Sequence, residues 1–127
     1  MVVATRERPV RVVVIDDNRD IRDLLSTVLK NRGMEVVGEA GDGQAGVDVV
    51  RAERPDVVLL DLAMPVMDGV EALPLIRALV PEARIIVLSA FTGAVREQVL
   101  ELGAHGYLVK GTPLREIVEY VEASLGE

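Results

Sequence analysis

The chain has 127 residues, half of them apolar, a formal charge of -7, one Phe, two Tyr, and neither Trp nor Cys. One domain of this length buries roughly two-thirds of its unfolded surface, here around an aliphatic core. Disulfides and thiolate metal sites are excluded, the charge argues against direct nucleic-acid binding by this chain, and no apolar segment approaches the roughly 20 residues of a membrane span, which gives a cytoplasmic protein without a membrane anchor as the expectation.

Residues 1–9 read as an N-terminal extension. Residues 10–15, VRVVVI, form an apolar β-branched run that ends in Asp16-Asp17. Ile21, Leu24, Leu25, Val28 and Leu29 follow at helical spacing, and Gly33 stops that helix. Residues 34–40, MEVVGEA, are a weaker and more mixed strand, as expected at a sheet edge. From Asp42 a helix with Ala45, Val49 and Ala52 on one face runs to about Arg54, with Pro55 beyond it. Residues 57–62 are apolar on both faces up to Asp61, the pattern of a central strand covered on both sides. Met64-Pro65 and Asp68-Gly69 then turn the chain.

Val70, Leu73, Ile76, Ala78 and Leu79 mark a third helix. Pro74 inside it removes a backbone donor, so that helix is expected to start late or to bend. Residues 84–89, RIIVLS, make a fourth strand, and Val95, Val99 and Leu102 a helix closed by Gly103. Residues 107–110, YLVK, make a fifth strand. Leu114, Ile117, Val118, Val121 and Leu125 mark the last helix, with Thr112-Pro113 expected to cap it. Five such units imply an α/β fold: a five-stranded doubly wound parallel sheet, (βα)5 flavodoxin-like in three layers, with strand order 2-1-3-4-5 over residues 10–125. The ligand crevice of that order lies between strands 1 and 3.

The carboxyl ends of the strands carry Asp16 and Asp17, then Asp61, Ser89 and Lys110. Singly, each has an ordinary explanation, such as an acid at a helix N-terminus, a loop hydroxyl or a surface lysine. Together, at the expected crevice, they point to a site. Two carboxylates about 4 Å apart repel by roughly 4 kcal/mol at an effective dielectric near 20, and three raise at least one pKa unless cations intervene. Lys110 supplies one positive charge and a divalent metal would supply the balance. All-oxygen donors with no His or Cys favour Mg2+, with Mn2+ or Ca2+ as substitutes. A carboxylate beside such a metal, a lysine and a hydroxyl suits phosphoryl transfer onto the carboxylate.

Asp16-Asp17 after the first strand, DLAMPVMDG at 61–69, Ser89-Ala90 after the fourth and Tyr107-Leu-Val-Lys110 together resemble the receiver domain of bacterial two-component response regulators. The resemblance covers the chain from about residue 10 to residue 121. It implies that Asp61 accepts a phosphoryl group from a sensor histidine kinase or phosphotransfer protein. It further implies that Asp17, Asp61 and the backbone carbonyl of Ala63 hold Mg2+, with Asp16 assisting through water. Lys110 would pair with the phosphoryl oxygens, Ser89 would hydrogen-bond to them, and Tyr107 would swing inward as the switch aromatic. The implied catalysis is the chain's own phosphoryl transfer and hydrolysis, not that of a conventional enzyme. The face of helix 4, strand 5 and helix 5 would change its affinity for a partner, and that face or the one of helices 1 and 5 would serve a homodimer.

The segment KGTPLREIVE is similar to receivers joined to a helix-turn-helix output domain that controls transcription, and no such output domain is expected in this chain. Gly111 stands where many receivers carry proline, so nothing in the sequence calls for a cis peptide there. By the same resemblance, Ala63 and Phe91 occupy positions that influence how water reaches the acyl phosphate, and a hydrophobic pair there implies slow self-hydrolysis. Three other readings compete. Residues 41–46, GDGQAG, fit the dinucleotide-binding G-x-G-x-x-G, although Asp42 would face a pyrophosphate. A haloacid-dehalogenase-like phosphatase would need an acid where Ala63 stands. A degenerate receiver would bind partners independently of phosphorylation. His105 reads as a loop residue with no acid placed to orient it.

Overall fold

The computed structural model describes residues 8–90 and 94–126. Its elements alternate strictly: β1 (Arg11–Ile15), α1 (Arg19–Asn31), β2 (Glu35–Ala40), α2 (Gly43–Glu53), β3 (Val57–Asp61), α3 (Gly69–Leu79), β4 (Arg84–Ser89), α4 (Ala94–Glu101), β5 (Gly106–Val109) and α5 (Leu114–Leu125). The strands form one sheet in the order β2-β1-β3-β4-β5 with every pairing parallel, as the alternation predicts.

Side chains alternate across a strand, so each strand feeds both faces. Val13, Ile15, Val58, Leu60, Ile85 and Val87 point to α2, α3 and α4, where Val47, Val50, Leu73, Ile76 and Val99 meet them. Val12, Val14, Val57, Leu59, Ile86 and Leu88 point the other way, to Leu25 and Leu29 of α1 and Ile117, Val118 and Val121 of α5. All five residues of β3 are buried, which is what two covered faces require. β2 lies at an edge and is only half buried. Its register with β1 slips between Val12↔Val36 and Val13↔Gly38, so Val37 is an extra residue that bulges the strand.

Four expectations need correction. α3 does not start late: it begins directly at Gly69, because the Asp68 side chain accepts from Glu71 N–H (2.9 Å) and caps it, and Pro74 lies inside the helix. Thr112 does not cap α5: its hydroxyl turns back to the Val109 carbonyl (2.6 Å), and Pro113 leads into the helix without a side-chain cap. On α2, Ala45 and Val49 pack half-buried on the core as expected, but Ala52 is exposed, and the fully buried residues are Gly43, Gly46, Val47 and Val50. Short apolar residues surround that helix, so periodicity alone did not single out the stripe. The stripe is the one whose glycines allow close approach: a Cβ at Gly43 would collide with the Met67 carbonyl, and one at Gly46 would press on Ile15. Leu24 on α1 and Ala78 on α3, both expected inside, are exposed.

Candidate functional site

The sheet delivers four polar groups to one edge. Asp16 follows β1, Asp61 ends β3 and Ser89 ends β4, and all three are at least 98% buried, with 2, 2 and 1% exposure. Lys110 follows β5, and its backbone N–H donates to the Ser89 carbonyl (2.8 Å), which continues the β4–β5 ladder and aims its side chain over the edge. Lys110 Nζ lies 3.0 Å from Asp61 Oδ2 and 3.2 Å from Asp16 Oδ2. Asp17 is exposed, and Asp16, Asp17 and Asp61 each place an oxygen within 4.8 Å of the other two. Five of the residues singled out in the sequence are therefore at one edge.

The electrostatics are unbalanced. One ammonium serves two buried carboxylates, with a third beside them. Burial, and secondarily Asp16, holds the Asp61 carboxyl above the ordinary carboxylate range despite the opposing pull of Lys110. Burial alone would lower the Lys110 pKa, but Asp61 and Asp16 outweigh it and raise the value. Asp61 Oδ1 receives only a long contact from Ala63 N–H (3.4 Å). Asp61 Oδ2 is buried without a hydrogen-bond donor, its approach to Lys110 being ionic but poorly aligned for a hydrogen bond. A buried carboxylate oxygen left in that state is costly unless something else satisfies it. Together with three oxygen-donor acids it fits a hard divalent cation.

Local sequence explains the presentation of these groups. Asn18, not Asp16 or Asp17, caps α1, its Oδ1 accepting from Ile21 N–H (3.1 Å). The Asn18 N–H in turn donates to Asp16 Oδ1 (2.8 Å), which leaves Asp16 Oδ2 for Lys110. The loop after Asp61 is tied on two sides: Gly69 N–H donates to Leu62 O and Gly43 N–H to Met67 O, both at 2.8 Å. A Cβ at Gly69 would collide with the Asp61 carbonyl, so only glycine fits there. Between these ties Met67 N–H closes onto Pro65 O (2.7 Å) around Val66, whose φ is 66°. That is the rarer, strained kind of γ-turn, held here by a β-branched residue.

The remaining singled-out residues fall as follows. Tyr107 on β5 is half-buried against the α2–α3–α4 side of the core. Ala63 is exposed, and Phe91 lies outside the described residues. Gly111 has φ 97°, and no peptide bond among the described residues is cis. The turn Gly41–Gly46 binds the fold together, since the Gly43 amide is taken by Met67 and Asp42 caps α2 through Ala45 N–H (2.8 Å). His105 extends the sheet: its N–H donates to Ile85 O (2.7 Å) and its Nδ1 accepts from Ile85 N–H (3.0 Å). Sequence reasoning missed Asn18, which follows the acidic pair directly, and Arg22, whose Nη1 donates to the Asp16 carbonyl (2.6 Å). Asn at an N-cap before a helical run was readable; the Arg22 contact was not.

Known proteins match most of the chain. Residues 12–122 match the response regulator receiver domain family. The chain is 42% identical over 113 residues to a protein-glutamate methylesterase/protein-glutamine glutaminase of Azospirillum brasilense, covering 86% of this chain and 29% of that protein. It is 40% identical over 114 residues to the probable transcriptional regulatory protein NarL of Mycobacterium tuberculosis, covering 88% of this chain and 53% of that protein. The chain thus spans about half, or less, of the length of these curated relatives. Among solved structures, the signal receiver domain of the putative response regulator NarL from M. tuberculosis aligns with a TM-score of 0.86 at 37% identity, covering 94% of this chain and 99% of that one. A chain of the CheX-CheY-BeF3-Mg2+ complex from Borrelia burgdorferi aligns with a TM-score of 0.89 at 26% identity, covering 93% and 90%. Among the described residues no helix is long and apolar enough to cross a membrane.

Proposed function

The chain belongs to the response regulator receiver domains, and on that premise we propose that it is a phosphorylation-activated signalling switch whose phosphoryl acceptor is Asp61. The observation that carries this reading is the buried Asp61 carboxylate, with Oδ2 lacking a hydrogen-bond donor and facing Lys110, Asp16 and Asp17. An Asp61 oxygen attacks the phosphorus of a phosphohistidine on a sensor histidine kinase or phosphotransfer protein. The P–N bond breaks, and the imidazole leaves with a proton. Lys110 follows the charge onto the phosphoryl oxygens, and Asp16 keeps it in place from the other side.

Asp17, Asp61 and the Ala63 carbonyl are the groups that would hold Mg2+, with Asp16 behind them. When bound, that ion neutralises the charge of the transferring group. Ser89, buried at the end of the neighbouring strand, donates its hydroxyl to the new phosphoryl group, and Tyr107 repacks on β5. A new dianion next to a hydroxyl and a half-buried aromatic is a local electrostatic event of the kind that biases a two-state element. The output is a changed affinity of the α4–β5–α5 face, where Val109 and Tyr120 are exposed. That face, or the one of α1 and α5, serves a homodimer. The receiver unit is residues 10–125, and transcription control is the output that relatives such as NarL support.

Intact-mass measurement after incubation with acetyl phosphate tests the reading. One added phosphoryl group that requires Mg2+ and is lost in Asp61→Asn is the expected result. No adduct, and no binding of beryllofluoride with Mg2+, would leave a phosphorylation-independent binding module in its place.

A further inference from the structure

Arg22 is the one described arginine with a buried nitrogen that lacks a hydrogen bond, yet it is held firmly. Its Nη1 donates to the Asp16 carbonyl (2.6 Å), and its Nε lies 3.4 Å from Glu39 Oε1 on β2. Glu39 is fixed in turn by the Ser26 hydroxyl, which donates to Oε2 (3.1 Å). Gly41 leaves room for the guanidinium, since a Cβ there would come within 3.3 Å of Nη1.

The position of this contact gives it a consequence. The β1–β2 ladder ends with Asp16 N–H donating to Ala40 O (3.0 Å), and the Asp16 carbonyl is the first acceptor beyond the paired residues. Arg22 caps it. The Asp16–Asp17 peptide is planar, so fixing that carbonyl fixes the N–H and Cα of Asp17 as well. Asp17 is the exposed member of the three acids, and no hydrogen bond or ion pair is recorded for its side chain among the described residues. Its placement depends on its backbone.

We infer that Arg22, braced by Glu39 and Ser26, is a positioning residue for the cation site, acting by locking the Asp16–Asp17 peptide plane. The inference rests on the cation-binding reading of Asp16, Asp17 and Asp61. It makes a prediction whose sign separates geometry from charge. A positive charge near the acids repels a divalent cation, so if charge were all, removing Arg22 would tighten binding. Positioning requires the opposite.

The test is isothermal titration of the folded chain with Mg2+ alone, with melting curves to verify folding. Arg22→Met is expected to weaken Mg2+ binding about tenfold, the lower end of the effect of losing a group that orients metal ligands. Arg22→Lys keeps the charge without the fork and recovers only part of the affinity. Ser26→Ala, which changes no charge and touches no ligand, weakens binding in the same direction by releasing Glu39, and the double variant binds no worse than Arg22→Met, as expected for residues acting through one another. Should Arg22→Met fail to fold, Ser26→Ala carries the test. If the parent binds Mg2+ and both single variants bind it equally well or more tightly, the inference is overturned. If the parent binds no Mg2+, or binds it unchanged in Asp17→Asn, the cation-site reading falls and the inference with it.

Discussion

With its carboxyl buried, Asp61 holds its proton more firmly in the native chain than in the unfolded one. Between the ordinary carboxylate pKa and the raised native one, the native state binds more protons, so stability falls as pH rises through that window and stays lower above it. Asp61→Asn removes this penalty. It is expected to be more stable than the parent by about 1–2 kcal/mol at neutral pH, the usual gain when a functional group is sacrificed for stability. The advantage should fade below the ordinary carboxylate range, and denaturant unfolding across pH would detect a pH-independent difference as the contrary result. Lys110 shows the same direction in a higher pH range, with its charged form the stabilising one: its ion pairs stabilise fully below its unfolded pKa and are lost as pH rises through the raised native value. Val66 is strained without compensation from burial, being 83% exposed at φ 66°. Val66→Gly should raise stability by about 1 kcal/mol, because a left-handed backbone costs an L-residue roughly 1–2 kcal/mol and glycine little. An unchanged unfolding midpoint would contradict that.

At the scale of elements, Pro74 sits exposed in the interior of α3 and leaves the Val70 carbonyl without its helical donor. Pro74→Ala is expected to stabilise by about 1–2 kcal/mol, the helical penalty of proline being offset in part by its restriction of the unfolded chain. A melting temperature at or below the parent's would show that α3 has accommodated the ring. The sequence read these elements well where local signals agreed: unbroken apolar runs gave β1, β3 and β4, and glycines after α1 and α4 gave their ends. It read them poorly where distant residues decide. The Asp68 cap overrode the warning from Pro74, and Thr112 found a closer acceptor in Val109. The acids at the strand ends were legible because topology alone brings strand ends together. The Arg22–Glu39 brace and the φ of Val66 were not, because each depends on the exact approach of separate segments.

In the whole molecule the acids that crowd the site come from β1 and β3, adjacent strands at the centre of the sheet. Their repulsion therefore acts against the fold as a unit. Mg2+ should raise the free energy of global unfolding, and with it the midpoint, by about 1.4 kcal/mol of stability for each tenfold excess of free ion over its dissociation constant. Chelation should reverse the gain, and Asp17→Asn should flatten the dependence. A midpoint indifferent to Mg2+ would place the repulsion elsewhere.

The extra residue in β2 has a consequence outside signalling. An open parallel sheet ends in a row of unpaired amides and carbonyls, an invitation for another chain to add a strand and for pairing to spread from molecule to molecule. Here that row is broken at Val37 and carries the exposed side chain of Glu35 beside the break. At the opposite border β5 offers only four residues. Neither border is a good template, so the sheet resists end-to-end fibre growth.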